Sequence, residues 1–210
     1  MKHLIRLAAA MLLGLAAPAL AQEAPAVLEI GGARFHVPAP AGHCSDTPAV
    51  KAYFEMQRRG APDAVPDLVF MPCDASDIFS SGMYAVMVFR QGPAMERAAL
   101  LAELRETMPN ADREMAAVNA RAEQRYSTDG ITVQSGIKAI GVDTMCGYIA
   151  GLISMEIEGS KVEVLMVGCM TAVGGRMICV YHYSIGSDPA AAAAEAPLVR
   201  RMAESIVAAQ

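Results

Sequence analysis

The chain's 210 residues combine 54% apolar types with 19% charged and no Trp, a balance that excludes a disordered chain and suits one folded domain. The formal charge is −5. A mildly acidic surface excludes nucleic acid and anionic membrane as natural partners, because counterion release and lipid attraction both reward basic patches.

Residues 1–21 have the three parts of a secretory signal: a basic start with Lys2 and Arg6, an apolar run from Leu7 to Leu15, and the small-residue site Ala19-Leu20-Ala21. Cleavage after Ala21 is expected, leaving 22–210 as a single α+β domain, more acidic than the precursor. A chain of that length buries roughly 70% of the surface its unfolded form exposes, so a core needs no metal staple. Gln22 follows the site, which excludes the lipid-modified cysteine of a lipoprotein. No later apolar run reaches the roughly 18 residues of a membrane span. The mature protein is therefore expected in the periplasm or outside the cell, with no membrane span of its own.

Val27 to Ile30, Gly31-Gly32 and Ala33 to Val37 read as a tight hairpin, ended by Pro38 and Pro40. A helix is expected from Ser45 or Asp46 as cap, through Pro48, Val50, Tyr53, Phe54 and Met56, to Gly60. Residues 61–66, with two prolines, form a loop, and Leu68 to Met71 and Met83 to Phe89 are short strands. Leu100, Leu101, Leu104 and Met108 then fall on one side of a helix that Pro109 ends. A second helix runs from Asn110 as cap to about Arg125, with Met115, Val118 and Ala122 inward. The pairs Arg58-Arg59 and Arg200-Arg201 read as solvated helix charges.

Four consecutive strands follow, Ile131 to Ile140, Thr144 to Ile157, Lys161 to Thr171 and Met177 to Ile185, whose short connections make them antiparallel. Alternation assigns Ile149, Ile153, Met155, Val162, Val164, Met166, Met170, Ile178 and Val180 to one face, and Tyr148, Leu152, Glu156, Lys161, Glu163, Val167 and Tyr181 to the other. Cover for the first face is expected from a terminal helix that begins near Ser187-Asp188-Pro189 and restarts after Pro197 with Leu198, Met202 and Ile206 on one stripe.

Five cysteines survive cleavage, an odd number that leaves at least one unpaired within the chain. Cys44 and Cys73 are expected to pair, a loop the chain-entropy model values at about 3 to 4 kcal/mol. If Glu158-Gly159 is a two-residue turn, Glu156 opposes Lys161 and Cys146 lies diagonal to Cys169. If Thr171 opposes Met177 across the next loop, Cys169 directly opposes Cys179. That register makes Cys169 and Cys179 the second disulfide and Cys146 the unpaired thiol. It also places three cysteines on adjacent strands, so a soft-metal (copper or zinc) or redox site built from Cys146, Cys169 and Cys179 is the alternative function. Against it, two cysteines at metal-finger spacing are missing. Met83 and Met87, Met166 and Met170, and His43 beside Cys44 add soft ligands, but Met alternating among valines is ordinary core filling.

His36 precedes Pro38 in a strand and His182 lies between Tyr181 and Tyr183, both packing or hydrogen-bonding positions. No zinc-protease helix, nucleophile elbow, phosphate-binding loop or dinucleotide fingerprint occurs. No catalytic, cofactor-binding or metal residue is therefore assigned, no cofactor is expected, and an enzyme without a recognisable motif is a further alternative.

The opening hairpin ends in a Phe-x-Val-Pro-x-Pro-x-Gly stretch, Phe35 to Gly42, and is followed by a helix, two strands, a helical middle, a four-strand antiparallel run and a terminal amphipathic helix. This order resembles the PsbP-like α/β sandwich family, whose bacterial members include many secreted proteins. The resemblance implies an antiparallel sheet packed by helices and an accessory or binding role. It implies no functional residue, and the five cysteines depart from it. The expected function is an exported, non-catalytic accessory or interaction protein with a protein or small-molecule partner.

Overall fold

The computed structural model describes residues 25–60, 65–74, 82–127, 131–157 and 159–209. The expected signal segment, most of the 61–66 and 74–82 loops and residue 158 lie outside them. Strands β1 (Ala26–Ile30) and β2 (Ala33–Val37) form the expected hairpin, with Gly31 and Gly32 at φ 58° and 78°. Two consecutive positive φ values are what a two-residue primed turn requires, and glycine adopts them without steric cost. The chain's last described strand, β11 (Val207–Ala209), adds to the free edge of β2, so the two ends of the described chain close one small three-stranded sheet.

The main sheet is built from β3 (His43–Cys44), β4 (Leu68–Pro72), β5 (Met83–Val88), β6 (Ile131–Ser135), β7 (Lys138–Val142), β8 (Gly147–Ile157), β9 (Ser160–Val173) and β10 (Arg176–Ile185). Its order is β3-β4-β5-β10-β9-β8, with β6 and β7 both lying along the outer edge of β8, and every pairing is antiparallel. The stretch read as one strand from Ile131 to Ile140 is thus two. At the break, Asn119 donates to the Ile137 carbonyl at 2.9 Å and accepts from the Ser135 hydroxyl at 2.7 Å and the Ile137 N–H at 3.2 Å. The side chain supplies partners that a continuous ladder would have supplied.

The helices are α1 (Pro48–Gly60), α2 (Arg97–Thr107), α3 (Ala111–Tyr126) and α4 (Ala192–Ser205). Thr47, rather than Ser45 or Asp46, caps α1: its hydroxyl accepts from the Val50 N–H at 3.2 Å, with Pro48 in the first helical position. Asn110 precedes α3 but makes no side-chain cap bond, because a 3-10 turn over Met108–Asn110 feeds directly into the helix. Val118, expected inward, is exposed on α3. Pro197 lies inside α4 without breaking it, and Asp188 accepts from the Ala190 N–H in the 3-10 turn ahead of that helix.

One face of the main sheet carries Phe70, Tyr84, Val86, Leu165, Val167, Cys169, Ile178 and Val180, and it packs on Val199, Met202, Ala203 and Ile206 around α4 and on Phe35 and Val37 of the small sheet. The opposite face carries Val69, Met71, Ala85, Met83, Tyr181 and Tyr183 against Val50, Tyr53 and Phe54 of α1. Further along that face, α2 lies so close to β8 that a side chain at Gly147 would meet Leu104 at 2.6 Å. The terminal helix therefore covers the face opposite to the one expected from the residues of β8 and β9, and Ile178 and Val180 lie across the sheet from Met166 and Met170. The physical reason is a one-residue register difference. Gly174 and Gly175, at φ 56° and 76°, form the β9–β10 turn and pair Val173 with Arg176, so Thr171 opposes Ile178 and not Met177. A shift of one residue moves every side chain of a strand to the other face.

Candidate functional site

That register sorts the cysteines. Cys44 and Cys73 are joined, with their Cα atoms 5.0 Å apart. The second disulfide joins Cys146 to Cys169, Cα–Cα 5.2 Å, and the free thiol is Cys179, buried on the opposite face. This corrects the expected Cys169–Cys179 bond and the expected free Cys146. The β8–β9 half of the reading stands, since Glu156 opposes Lys161 and Tyr148 opposes Cys169, which leaves Cys146 diagonal to Cys169. Across the other turn Val180, not Cys179, faces Cys169. The three cysteines of the alternative soft-metal or redox site do not converge here, because Cys146 and Cys169 are bonded to each other and the sheet separates Cys179 from both.

The expected histidines fall at different places. His36 lies in β2 between partners Val27 and Val207, half-buried. His43 and His182 are both buried, at 9% and 4% exposed, and both rings contact Tyr84, with centroids 5.1 Å and 4.6 Å away. His182 Nδ1 lies 2.8 Å from Glu195 Oε2, and the Ser184 hydroxyl donates to Glu195 Oε1 at 2.6 Å. His43 Nδ1 lies 3.1 Å from the Ala41 carbonyl oxygen. With each Nδ1 beside an oxygen acceptor, the neutral tautomer places the proton there and leaves Nε2 as the acceptor. Neither Nε2 has a hydrogen-bond partner.

A carboxylate that orients an imidazole is half of a general-base arrangement. The free nitrogen of His182 lies against Gly82, where a Cβ would come within 2.6 Å of it and 2.5 Å of the Tyr183 carbonyl oxygen. The cluster ties the first turn of α4 to β10 and β5. Burial pushes the Tyr84 phenol above its ordinary pKa, with Arg201 opposing and Glu195 adding to the shift. Glu195, Tyr84 and Ser184 were not singled out from the sequence. Glu195 had a signal, being the only charged residue between Asp188 and Arg200 in an alanine-rich stretch.

Asp143 is a second polar centre. Its side chain accepts from the backbone N–H groups of Met145 and Cys146, both at 2.7 Å, from the Tyr148 hydroxyl at 2.8 Å, and from Arg200 of α4. Arg105 of α2 donates to its carbonyl oxygen. Partial burial pushes the Asp143 carboxyl up, but the Cys146, Met145 and Tyr148 donors with Arg200 outweigh it and hold the pKa below the ordinary carboxylate value. Tyr148 is pushed up to about 12 by burial and by that carboxylate. Asp143 thereby anchors the entry to β8, the Cys146 disulfide and α4 together.

On the α1/α2 face, Cys179 is directly opposed by Met87 of β5 on one side and Met170 of β9 on the other. Met177 lies two residues from Cys179 on the same face. A cavity of about 320 Å³ under α2 is lined by Met95, Met170 and Met177, with Leu100, Leu104 and the exposed carboxylates Glu103 and Glu114. Arg176 also lines it, and its guanidinium hydrogen-bonds the Gly31 carbonyl oxygen at 3.4 Å. A second cavity, about 560 Å³, runs along α3 beside Val118, Arg121, Ala122, Arg125 and Tyr126. No helix among the described residues is long and apolar enough to cross a membrane.

No family model and no curated protein matches the chain. Among solved structures, the solution structure of cyanobacterial PsbP (CyanoP) from Synechocystis sp. PCC 6803 is similar at 13% identity, over 82% of this chain and 85% of that one, with a TM-score of 0.37. The chain thus bears a weak structural resemblance to PsbP, and its own architecture is α+β, antiparallel sheets packed by helices.

Proposed function

We propose that the protein is exported, cleaved after Ala21, and works outside the cytosol as a non-catalytic accessory or interaction protein. The observation that carries the reading is the pair of disulfides, Cys44–Cys73 and Cys146–Cys169, the second joining the residue just ahead of β8 to β9 within the main core. Disulfides of this structural kind form and persist in oxidising compartments. The signal-like 1–21 segment supports the same compartment from the sequence side.

The non-catalytic part draws support from the placement of polar groups. The imidazole paired with Glu195 lies against Gly82, whereas neither of the cavities described above is lined by a histidine. Such cavities suit binding more than proton transfer. The test combines cell fractionation with N-terminal sequencing and intact mass. Protein starting at Gln22 in the periplasm or medium, with two disulfides and one thiol, is expected. Precursor in the cytosol with five thiols contradicts export. Turnover of any substrate that His182→Gln abolishes contradicts the non-catalytic role.

A further inference from the structure

We infer that the cavity under α2 binds a small organic ammonium ion with an apolar body, its cationic head at Glu103 and Glu114 and its body against the thioethers and leucines of the lining. The inference rests on the binding role proposed above and names the ligand class for it.

The cavity is fixed by backbone. The segment between β5 and α2 is pinned near both ends, where the Phe89 N–H donates to the Met177 carbonyl and the Met95 N–H to the Gly175 carbonyl, each at 3.0 Å. Residues of that segment line the cavity together with Leu100 and Leu104 of α2 and Met170 and Met177 of the sheet. The enclosed volume, about 320 Å³, lies at the small end of the range of ligand pockets. Unbranched thioethers adapt to the outline of an apolar guest. Phe89 lines the same space while 38% exposed, so its ring is open to a cation.

Charge complementarity selects the guest. Leu100, Glu103, Leu104 and Thr107 recur at helical spacing, so Glu103 shares the stripe of α2 that lines the cavity, and Glu114 reaches it from the first turn of α3. Among the described residues neither carboxylate has an ion-pair or hydrogen-bond partner. The arginines of the region are engaged elsewhere: Arg97 donates to the Ala172 carbonyl, Arg105 to that of Asp143 and Arg176 to that of Gly31. Arg176 is the one cation of the lining, and it opens β10, whereas α3 packs on β6 and β7 along the far edge of β8. Two strand spacings, roughly 10 Å, separate β10 from β8. An ammonium at the Glu114 end is therefore clear of Arg176. A hard metal ion takes six or more oxygen ligands, and no group of three or more His, Cys, Asp or Glu side chains placed to hold a metal occurs among the described residues. An apolar body adds surface burial that a bare ion lacks.

The experiment titrates purified protein, disulfides intact and methionine methyl groups labelled with carbon-13, with 4-phenylbutylammonium at low ionic strength. The methyl signals of Met95, Met170 and Met177 should shift together, with a Kd on the order of 0.1–1 mM for a ligand of that size. Those of Met83 and Met202, which do not line the cavity, should stay in place. Neutral 4-phenylbutanol should bind more weakly, and the anion 5-phenylpentanoate should not bind. Glu103→Gln and Glu114→Gln should each weaken the ammonium by about 2- to 5-fold, the value of an exposed ion pair, and leave the alcohol unchanged, which a damaged fold would not do. Arg176→Gln should not weaken it. Unshifted signals of the three lining methionines, equal binding of the anion, or glutamine variants that bind the ammonium as tightly as the parent would each overturn the inference. Exported, disulfide-bonded protein that ignores the ammonium would remove the ligand class alone, and cytosolic precursor that binds it would remove export alone.

Discussion

The two faces of the main sheet are made from the same strands and both carry helices, yet they are built from different chemistry. The α4 face is aliphatic and aromatic: Phe70, Val86, Val167, Ile178 and Val180 are fully buried against α4 and the small sheet, and a disulfide lies among them. The α1/α2 face carries Met83, Met87, Met166, Met170 and Met177 with a free thiol and two tyrosines, and several of these side chains are only half-buried. Branched aliphatic side chains and rings lock a core into one packing. Methionine is unbranched and polarizable, fills irregular space and yields to an occupant. The first face is where the packing of this chain is most closely specified, and the second is filled by more adaptable side chains.

The comparison breaks most readily at Phe70. Truncation to Ala on the aliphatic face should cost about 3–5 kcal/mol, read as a fall in the denaturation midpoint with an unchanged slope. A volume-conserving change such as Met170→Leu on the opposite face should cost less than about 1.5 kcal/mol. Equal losses would erase the distinction between the faces.

The sulfur positions sharpen it next. Replacing Cys146 and Cys169 together by Ala should remove about 3 to 4 kcal/mol, the loop-closure contribution of a bond spanning 23 residues. Cys179→Ala should cost far less. A smaller effect is expected for Glu195→Gln, which weakens the acceptor for His182 and Ser184: about 1–3 kcal/mol, measured by chemical denaturation, with α4 opening first in hydrogen exchange.

The smallest expected effect is at Asp143, and it carries a pH signature. A carboxyl held below its ordinary pKa binds fewer protons when folded than when unfolded. Its contribution is therefore present above the ordinary carboxylate range and is lost as pH falls through the lowered folded value. Asp143→Asn should cost about 1 kcal/mol at neutral pH and flatten the acid limb of the stability profile, read from thermal melts across that range. A variant with an unaltered acid limb would remove Asp143 as the anchor.

Much of the architecture was legible because it is set locally. The Gly31-Gly32 hairpin, the early strand pair, the α2 stripe and the long β8–β9 pairing each rest on turn residues and periodicity within one segment. The β8–β9 register followed from Glu158-Gly159 as a turn, and Glu156 does oppose Lys161. The neighbouring hairpin differs by one residue from the expected register, since a five-residue loop over Ala172 to Arg176 and a two-residue Gly174-Gly175 turn are both compatible with the local sequence. Only the folded sheet selects the second, and that single step decided which cysteines meet and which face α4 covers. The small sheet's third strand was hidden for another reason. Val207–Ala209 has too little pattern to announce a strand, and its partner β2 lies at the other end of the chain. The His182–Glu195 contact was likewise invisible as a pair, though a lone charge in an alanine run marked one half of it.

The most direct measurement is a disulfide map: proteolysis of the unreduced protein at low pH, with the free thiol alkylated beforehand and the linked peptides identified by mass. Crosslinks Cys44–Cys73 and Cys146–Cys169 with the label on Cys179 are the expected result. A Cys169–Cys179 crosslink with the label on Cys146 would place β10 one residue out of register and undo the distinction between the two faces.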